Sequence, residues 1–159
     1  ARVCGYEIHP FPTSHDSPGS VGYRVHTPDG MTAGICTDLG YVSQPVLQGI
    51  LGCDFVMLES NYDEEMLETG PYPYFLKKRI AGRQGHLSNR QCAETLEKLI
   101  RSGTRQIALA HLSEHNNLPQ LALESATDYL ARQGIRQGDD YEIDVLPKVS
   151  QGKVTVLAC

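Results

Sequence analysis

The side chains able to do chemistry fall in short clusters: 14-SHD-16, 37-TDLG-40, 59-ESN-61, 85-GHLSN-89 and 110-AHLSEHNN-117. Imidazole nitrogens and carboxylate oxygens are the usual ligands of Zn²⁺ and similar cations, and one carboxylate can bridge two ions. Histidine is also well suited to proton transfer near neutral pH. Each cluster has a structural explanation too. His15 fits a loop histidine, Asp38 a turn residue ahead of Leu39-Gly40, and His86 a cap or a packed ring. His111 fits a strand-end histidine with its hydrogen bonds satisfied. Recurrence favours chemistry. Three apolar runs stop on polar groups, at Asp38, at Glu59-Ser60-Asn61 and at His111. Open α/β sheets place their sites at the carboxyl ends of strands.

Those endings require strands at 31–37, 53–60 and 105–111. Upstream, rough alternation predicts a strand over 3–11, closed by Pro10 and Pro12, and another over 21–27. Pro28-Asp29-Gly30 has the composition of a hairpin turn. Helices are predicted at 45–51, with Pro45 in the first turn, and at 63–69, 73–81 and 119–133. The clearest helix is 89–103. Asn89 stands at its N-cap, Cys92, Leu96, Leu99 and Ile100 line one face, and Gly103 follows its end. Segments 141–147 and 153–158 read as a terminal strand pair. A meander followed by strand–helix alternation defines an α/β layered architecture. Neither repeat nor linker interrupts it, so residues 1–159 read as a single domain.

Composition narrows the functional classes. The 159 residues are 40% hydrophobic and 21% charged, with a net charge of −5, so nothing global attracts a polyanion. The obvious basic patch is 77-KKRIAGR-83, which equally fits a solvated helix face. No run approaches the roughly 20 apolar residues of a membrane span, so no membrane partner is expected. The five cysteines are scattered and form no CxxC pair, which points to a cytoplasmic protein without a disulfide framework. The chain opens on Ala1 almost inside a strand pattern, as the later part of a longer protein would.

The stretches HDSPGSVGYRV, TDLG, ESNYDEEML, GPYPYFLKKRIAGRQGHLSN and LAHLSEHNN together resemble the metallo-β-lactamase-fold hydrolases. Within them the chain is similar to the YycJ/WalJ-like branch, bacterial relatives of ribonucleases Z and J, over residues 3–159. The resemblance implies one half of an αββα sandwich: a mixed sheet with helices on one face. It implies two metal ions, Zn²⁺ or Mn²⁺, with His15 on the first, Asp38 bridging and His111 on the second. It gives His86 a role in protonating a leaving group and Glu59 the role of orienting His86. Ser88, Asn89, Ser113, Asn116 and Asn117 are expected to make turn and cap hydrogen bonds, and His9 and His26 to be structural. His115 is expected to be a loop residue near the site.

One departure matters. The family's H-x-H-x-D-H motif is absent, so each of the two ions keeps only two ligands from this chain. Zinc sites normally have three or four protein ligands. The expectation is a C-terminal portion lacking roughly the first hundred residues, inactive alone, that self-associates or holds its missing half. The complete protein would be a metal-dependent phosphodiesterase or exonuclease acting on nucleic acid. A thioester or lactam hydrolase of the same fold, and a non-catalytic binding module, are the competing readings.

Overall fold

The computed structural model describes residues 1–148. The strand expected at 153–158 lies outside them. A single seven-stranded sheet runs in chain order: β1 (Arg2–Val3), β2 (Tyr6–Pro12), β3 (Val21–His26), β4 (Thr32–Cys36), β5 (Phe55–Glu59), β6 (Gln106–Ala110) and β7 (Glu142–Val145). Strands β1 to β4 form an antiparallel meander, and β4 to β7 are parallel. The sheet is therefore mixed, as expected.

The N-terminal segment is a hairpin and not one strand. Cys4 (φ 50°) and Gly5 (φ 86°) turn β1 back onto β2 with the left-handed backbone that tight hairpin turns require. Pro10 lies inside β2, and Pro12 is its last residue. They are tolerated because β1 pairs only with Tyr6 and Glu7, so beyond them this edge of β2 has no partner among the described residues whose ladder a missing N–H would break.

The parallel strands are joined through helices: α1 (Gln44–Ile50), then α2 (Glu64–Thr69), α3 (Tyr74–Ile80) and α4 (Asn89–Arg101), and finally α5 (Pro119–Arg132). Right-handed crossovers that progress steadily along a sheet place their helices on one face. The core agrees. Val46 and Ile50 of α1, Leu96 and Leu99 of α4 and Ala126 and Leu130 of α5 pack with Val56, Leu58, Ile107 and Leu109 of the sheet. Cys36, Cys53 and Cys92 are buried in this layer, and burial pushes the Cys36 and Cys92 thiols up to about 12, which makes them inert.

Helix α4 begins one residue earlier than its sequence suggested. Ser88 is the N-cap, accepting from the Gln91 N–H while the Gln91 side chain accepts from the Ser88 N–H. Asn89, displaced from the cap, is buried. It accepts from Ser60 Oγ at 2.8 Å and from Asn117 Nδ2 at 2.8 Å, which ties the end of β5 and the loop before α5 to the start of α4.

Candidate metal centre and active site

Three neighbouring parallel strands end at one level, because Cys36 pairs with Leu58 and Glu59 with Ala110. Their carboxyl ends therefore deliver Asp38, Glu59 and His111 to one edge of the sheet. Asp38 and His111 both adopt φ 57°, a left-handed conformation uncommon for side chains of their size. Such strain persists only where neighbours hold it. Here they do: Asn61 Nδ2 donates to the His111 carbonyl at 2.7 Å, and the Asp38 N–H donates to Glu59 Oε1 at 3.3 Å.

Glu59 is the hub. It is fully buried and accepts five hydrogen bonds, from the N–H groups of Asp38, Leu39 and Leu87 and from the rings of His86 and His111. The imidazole contacts are short, 2.8 Å from His86 Nδ1 and 2.6 Å from His111 Nδ1. Burial alone would raise its pKa, but the hydrogen bonds from His111 and His86 win and hold the carboxyl below its usual range. His111 responds in kind: its bond to Glu59 raises its pKa against the opposing effect of burial. With both Nδ1 atoms engaged, Nε2 of each ring has no hydrogen-bond partner among the described residues.

Metal-binding geometry is present. Asp38, Glu59, His86 and His111 each offer a ligand atom, all within 4.8 Å of one another. His15 joins from the loop after β2. Its Nε2 lies 3.6 Å from Asp38 Oδ1, and its ring centroid lies 4.9 Å from that of His86. The other ring nitrogen, Nδ1, sits 3.1 Å from the Gly85 carbonyl, the kind of outer contact that fixes a ligating ring. All five candidate residues thus converge.

Two glycines make this convergence possible. A Cβ at Gly40 would collide with the backbone of Gly82 and Arg83, and one at Gly85 with the carbonyls of Arg79 and Ile80. Gly40 lets the loop carrying Asp38 close on the one carrying His86, and Gly85 lets the His86 loop fold back on the end of α3.

Other expectations are met or refined in detail. Ser88 caps α4, Ser113 accepts from the Asn116 N–H, and Asn117 bonds the Ser60 and Asn61 carbonyls. His9 and His26 form an edge-to-face ring pair at 5.5 Å. His115 is exposed beside Tyr72, with ring centroids 5.8 Å apart. The second imidazole on Glu59, His111, was not anticipated. The order β4-β5-β6, which makes Glu59 the middle ending, was its only signal.

The family model for the beta-lactamase superfamily domain matches residues 1–112. The chain belongs to the metallo-β-lactamase-fold hydrolase superfamily. Within this superfamily it is 38% identical over 144 residues to the exodeoxyribonuclease YycJ of Bacillus anthracis, a match covering 90% of this chain and 54% of that protein. It is 34% identical over 137 residues to the exodeoxyribonuclease WalJ of Streptococcus pneumoniae, covering 86% of this chain and 51% of that one. The chain spans about half the length of these curated relatives. Its fold is similar to that of the metallo-β-lactamase-fold protein YhfI from Bacillus subtilis. The TM-score is 0.63 at 14% identity, over 92% of this chain and 48% of the other.

Proposed function

We propose that this chain supplies one half of a two-metal phosphodiesterase centre whose substrate is nucleic acid, cut as an exonuclease would cut it. The observation that carries the reading is the convergence of His15, Asp38, His86 and His111 around the buried Glu59 carboxylate. The donor set suits Zn²⁺ or Mn²⁺. His15 would hold one ion, His111 the other, and Asp38 both. Bound divalent ions would supply Lewis-acid activation of water and neutralise charge developing on a phosphoryl group.

The chain's own residues would do the rest. His86, oriented through Nδ1 by Glu59, presents Nε2 as a proton donor to the departing oxygen. His15, Asp38 and His111 offer too few donors for two complete zinc shells. We therefore assign the remaining ligands to polypeptide beyond these 159 residues, which accords with the half-length match to the relatives. Alone, the chain should bind metal weakly and turn over little. The buried free thiols support a cytoplasmic setting. No helix among the described residues is long and apolar enough to cross a membrane.

Two substitutions in the intact protein test the reading. Asp38→Ala should remove both metals, measured by mass spectrometry of bound ions, and nearly all hydrolysis of a labelled oligonucleotide. His86→Ala should retain the metals while slowing turnover by about 10²–10⁴-fold, the usual worth of a positioned proton donor. Metal content that survives the Asp38 change would refute the bridging role. A thioester or lactam substrate would show itself by a binding constant indifferent to salt, since only a polyanion gives a steep slope.

A further inference from the structure

A second surface lies beside the cluster. A cleft of about 640 Å³ opens next to His15, and its lining includes Asp16, Tyr41, Lys78, Arg79 and Arg83. The cations of the 77–83 patch are not equivalent. Arg79 is committed to Asp16, with Nη2 2.9 Å from Oδ1. Lys77 donates to the Glu68 carbonyl at 2.6 Å. Lys78 and Arg83 have no carboxylate partner among the described residues. Each is held against an aromatic ring instead. Lys78 Nζ lies 5.4 Å from the Tyr74 centroid, and the Arg83 guanidinium carbon lies 4.2 Å over Tyr41. Their N–H groups remain free for an anion.

The aromatic part of the surface is just as specific. Helix α3 is anchored through Leu76 and Ile80, one turn apart, against Tyr62 and Leu67. Its remaining surface presents Tyr74 and Phe75, each 73% exposed. Tyr74 stands one turn before Lys78, and Phe75 one turn before Arg79. The two rings therefore continue, about 5–6 Å on, the rows of side chains that line the cleft.

We infer that α3 and this cleft bind a single-stranded polynucleotide, with phosphates against Lys78 and Arg83 and bases stacked on Tyr74 and Phe75. This deepens the phosphodiesterase reading, on which it rests, by naming how the strand is held as it reaches His15. The physical case is that neither half of the surface suffices alone. A chain of net charge −5 must attract a polyanion locally. Exposed rings beside unpaired cations match the alternation of π faces and phosphates in a single strand, and stacking works for any base.

The test measures binding without cleavage. A fluorescein-labelled oligothymidylate is titrated with the intact protein in a chelator, at several salt concentrations, and followed by anisotropy. The Tyr74→Ala/Phe75→Ala variant should weaken binding by about 30-fold or more, the worth of two stacked bases. An abasic oligomer of equal length should be insensitive to that change. Lys78→Ala/Arg83→Ala should weaken both oligomers and reduce the salt slope by about 1.4, for two phosphates on a single strand. Arg132→Ala, which removes a like charge at the end of α5, serves as the control, with a shift below twofold. Tyr74→Trp/Phe75→Ala should bind the oligothymidylate more tightly than Tyr74→Ala/Phe75→Ala, which a folding defect could not mimic.

Absence of wild-type binding at low salt would overturn the inference. So would double variants that leave affinity within twofold, or an aromatic variant that loses the abasic oligomer equally. Hydrolysis of bis(p-nitrophenyl) phosphate by the metal-loaded wild type reads the phosphodiesterase proposal separately, because so small a diester spans no stacking platform.

Discussion

Glu59 sits at the centre of the converging side chains and is bonded to most of the groups that hold them in place. Its charge, on a carboxylate that is itself fully buried, is compensated by three backbone N–H groups and two imidazoles. Hydrogen bonds to a charged group contribute about 1.5–3 kcal/mol each, and an unmatched buried group costs about 1–3 kcal/mol. Glu59→Gln preserves the volume but removes the charge and points an amide NH₂ at groups that are themselves donors. We expect a loss of about 2–4 kcal/mol and a melting temperature lower by about 4–15 °C for a domain of this size, followed by circular dichroism. A melt within a degree of wild type would show that the hub is not structural. The residues that meet here were largely readable beforehand: Asp38, Glu59 and His111 end apolar runs, and His15 and His86 stand in the motifs that carry the family resemblance. What spacing alone could not supply was the left-handed backbone at Asp38 and His111, since only the folded neighbours Glu59 and Asn61 hold it there.

Strands β4, β5 and β6 position the cluster only if their registers agree, and the opposite end of the sheet helps fix that agreement. Asp54, just before β5, accepts from the Thr32 N–H at 2.7 Å and from Thr32 Oγ1 at 2.8 Å at the start of β4. These bonds hold the Asp54 carboxyl below its ordinary value of 3.8. A lowered carboxylate contributes stability that is complete above the unfolded value and is lost as pH falls through the folded one. Asp54→Ala should therefore cost about 1 kcal/mol at neutral pH, a gap that stays constant down to about pH 5 and closes below the unfolded value. Urea titrations at stepped pH measure it, and a gap that widens on acidification would reverse the assignment. The sequence revealed these elements through apolar periodicity, and α4 most clearly, since Cys92, Leu96, Leu99 and Ile100 share one stripe. It misplaced what depends on single hydrogen bonds: the cap at Ser88 in place of Asn89, and the turn at Cys4-Gly5 that divides the first strand.

Strand alternation governs the molecule as a whole. With Val56, Leu58, Ile107 and Leu109 turned to the helices, the opposite face carries two cross-strand rows. One runs Ile8, Val25, Ala33, Phe55, and the other Pro10, Tyr23, Ile35, Met57, Ala108. No helix covers them among the described residues, and Tyr23 is 39% exposed. Strands spaced about 4.8 Å apart and about 17 Å long give this face on the order of 400 Å², at the upper end of what a soluble monomer shows. Covering it would contribute about 10 kcal/mol per partner, against about 4–15 kcal/mol for association. The paired area of about 800 Å² is small for a permanent dimer. The expected outcome is weak, concentration-dependent self-association of the isolated 159-residue chain through this face. The same face would receive the further polypeptide we assign to the intact protein. Size-exclusion chromatography with light scattering should show mass rising with concentration at high as well as low salt, because the contact is apolar. Tyr23→Glu, which places a charge in the middle of a row, should return the chain to a monomer without lowering its melting temperature by more than a few degrees. A wild-type chain that stays monomeric at high micromolar concentration would mean the two rows are no interface, and the place assigned to the remaining ligands would fall with them.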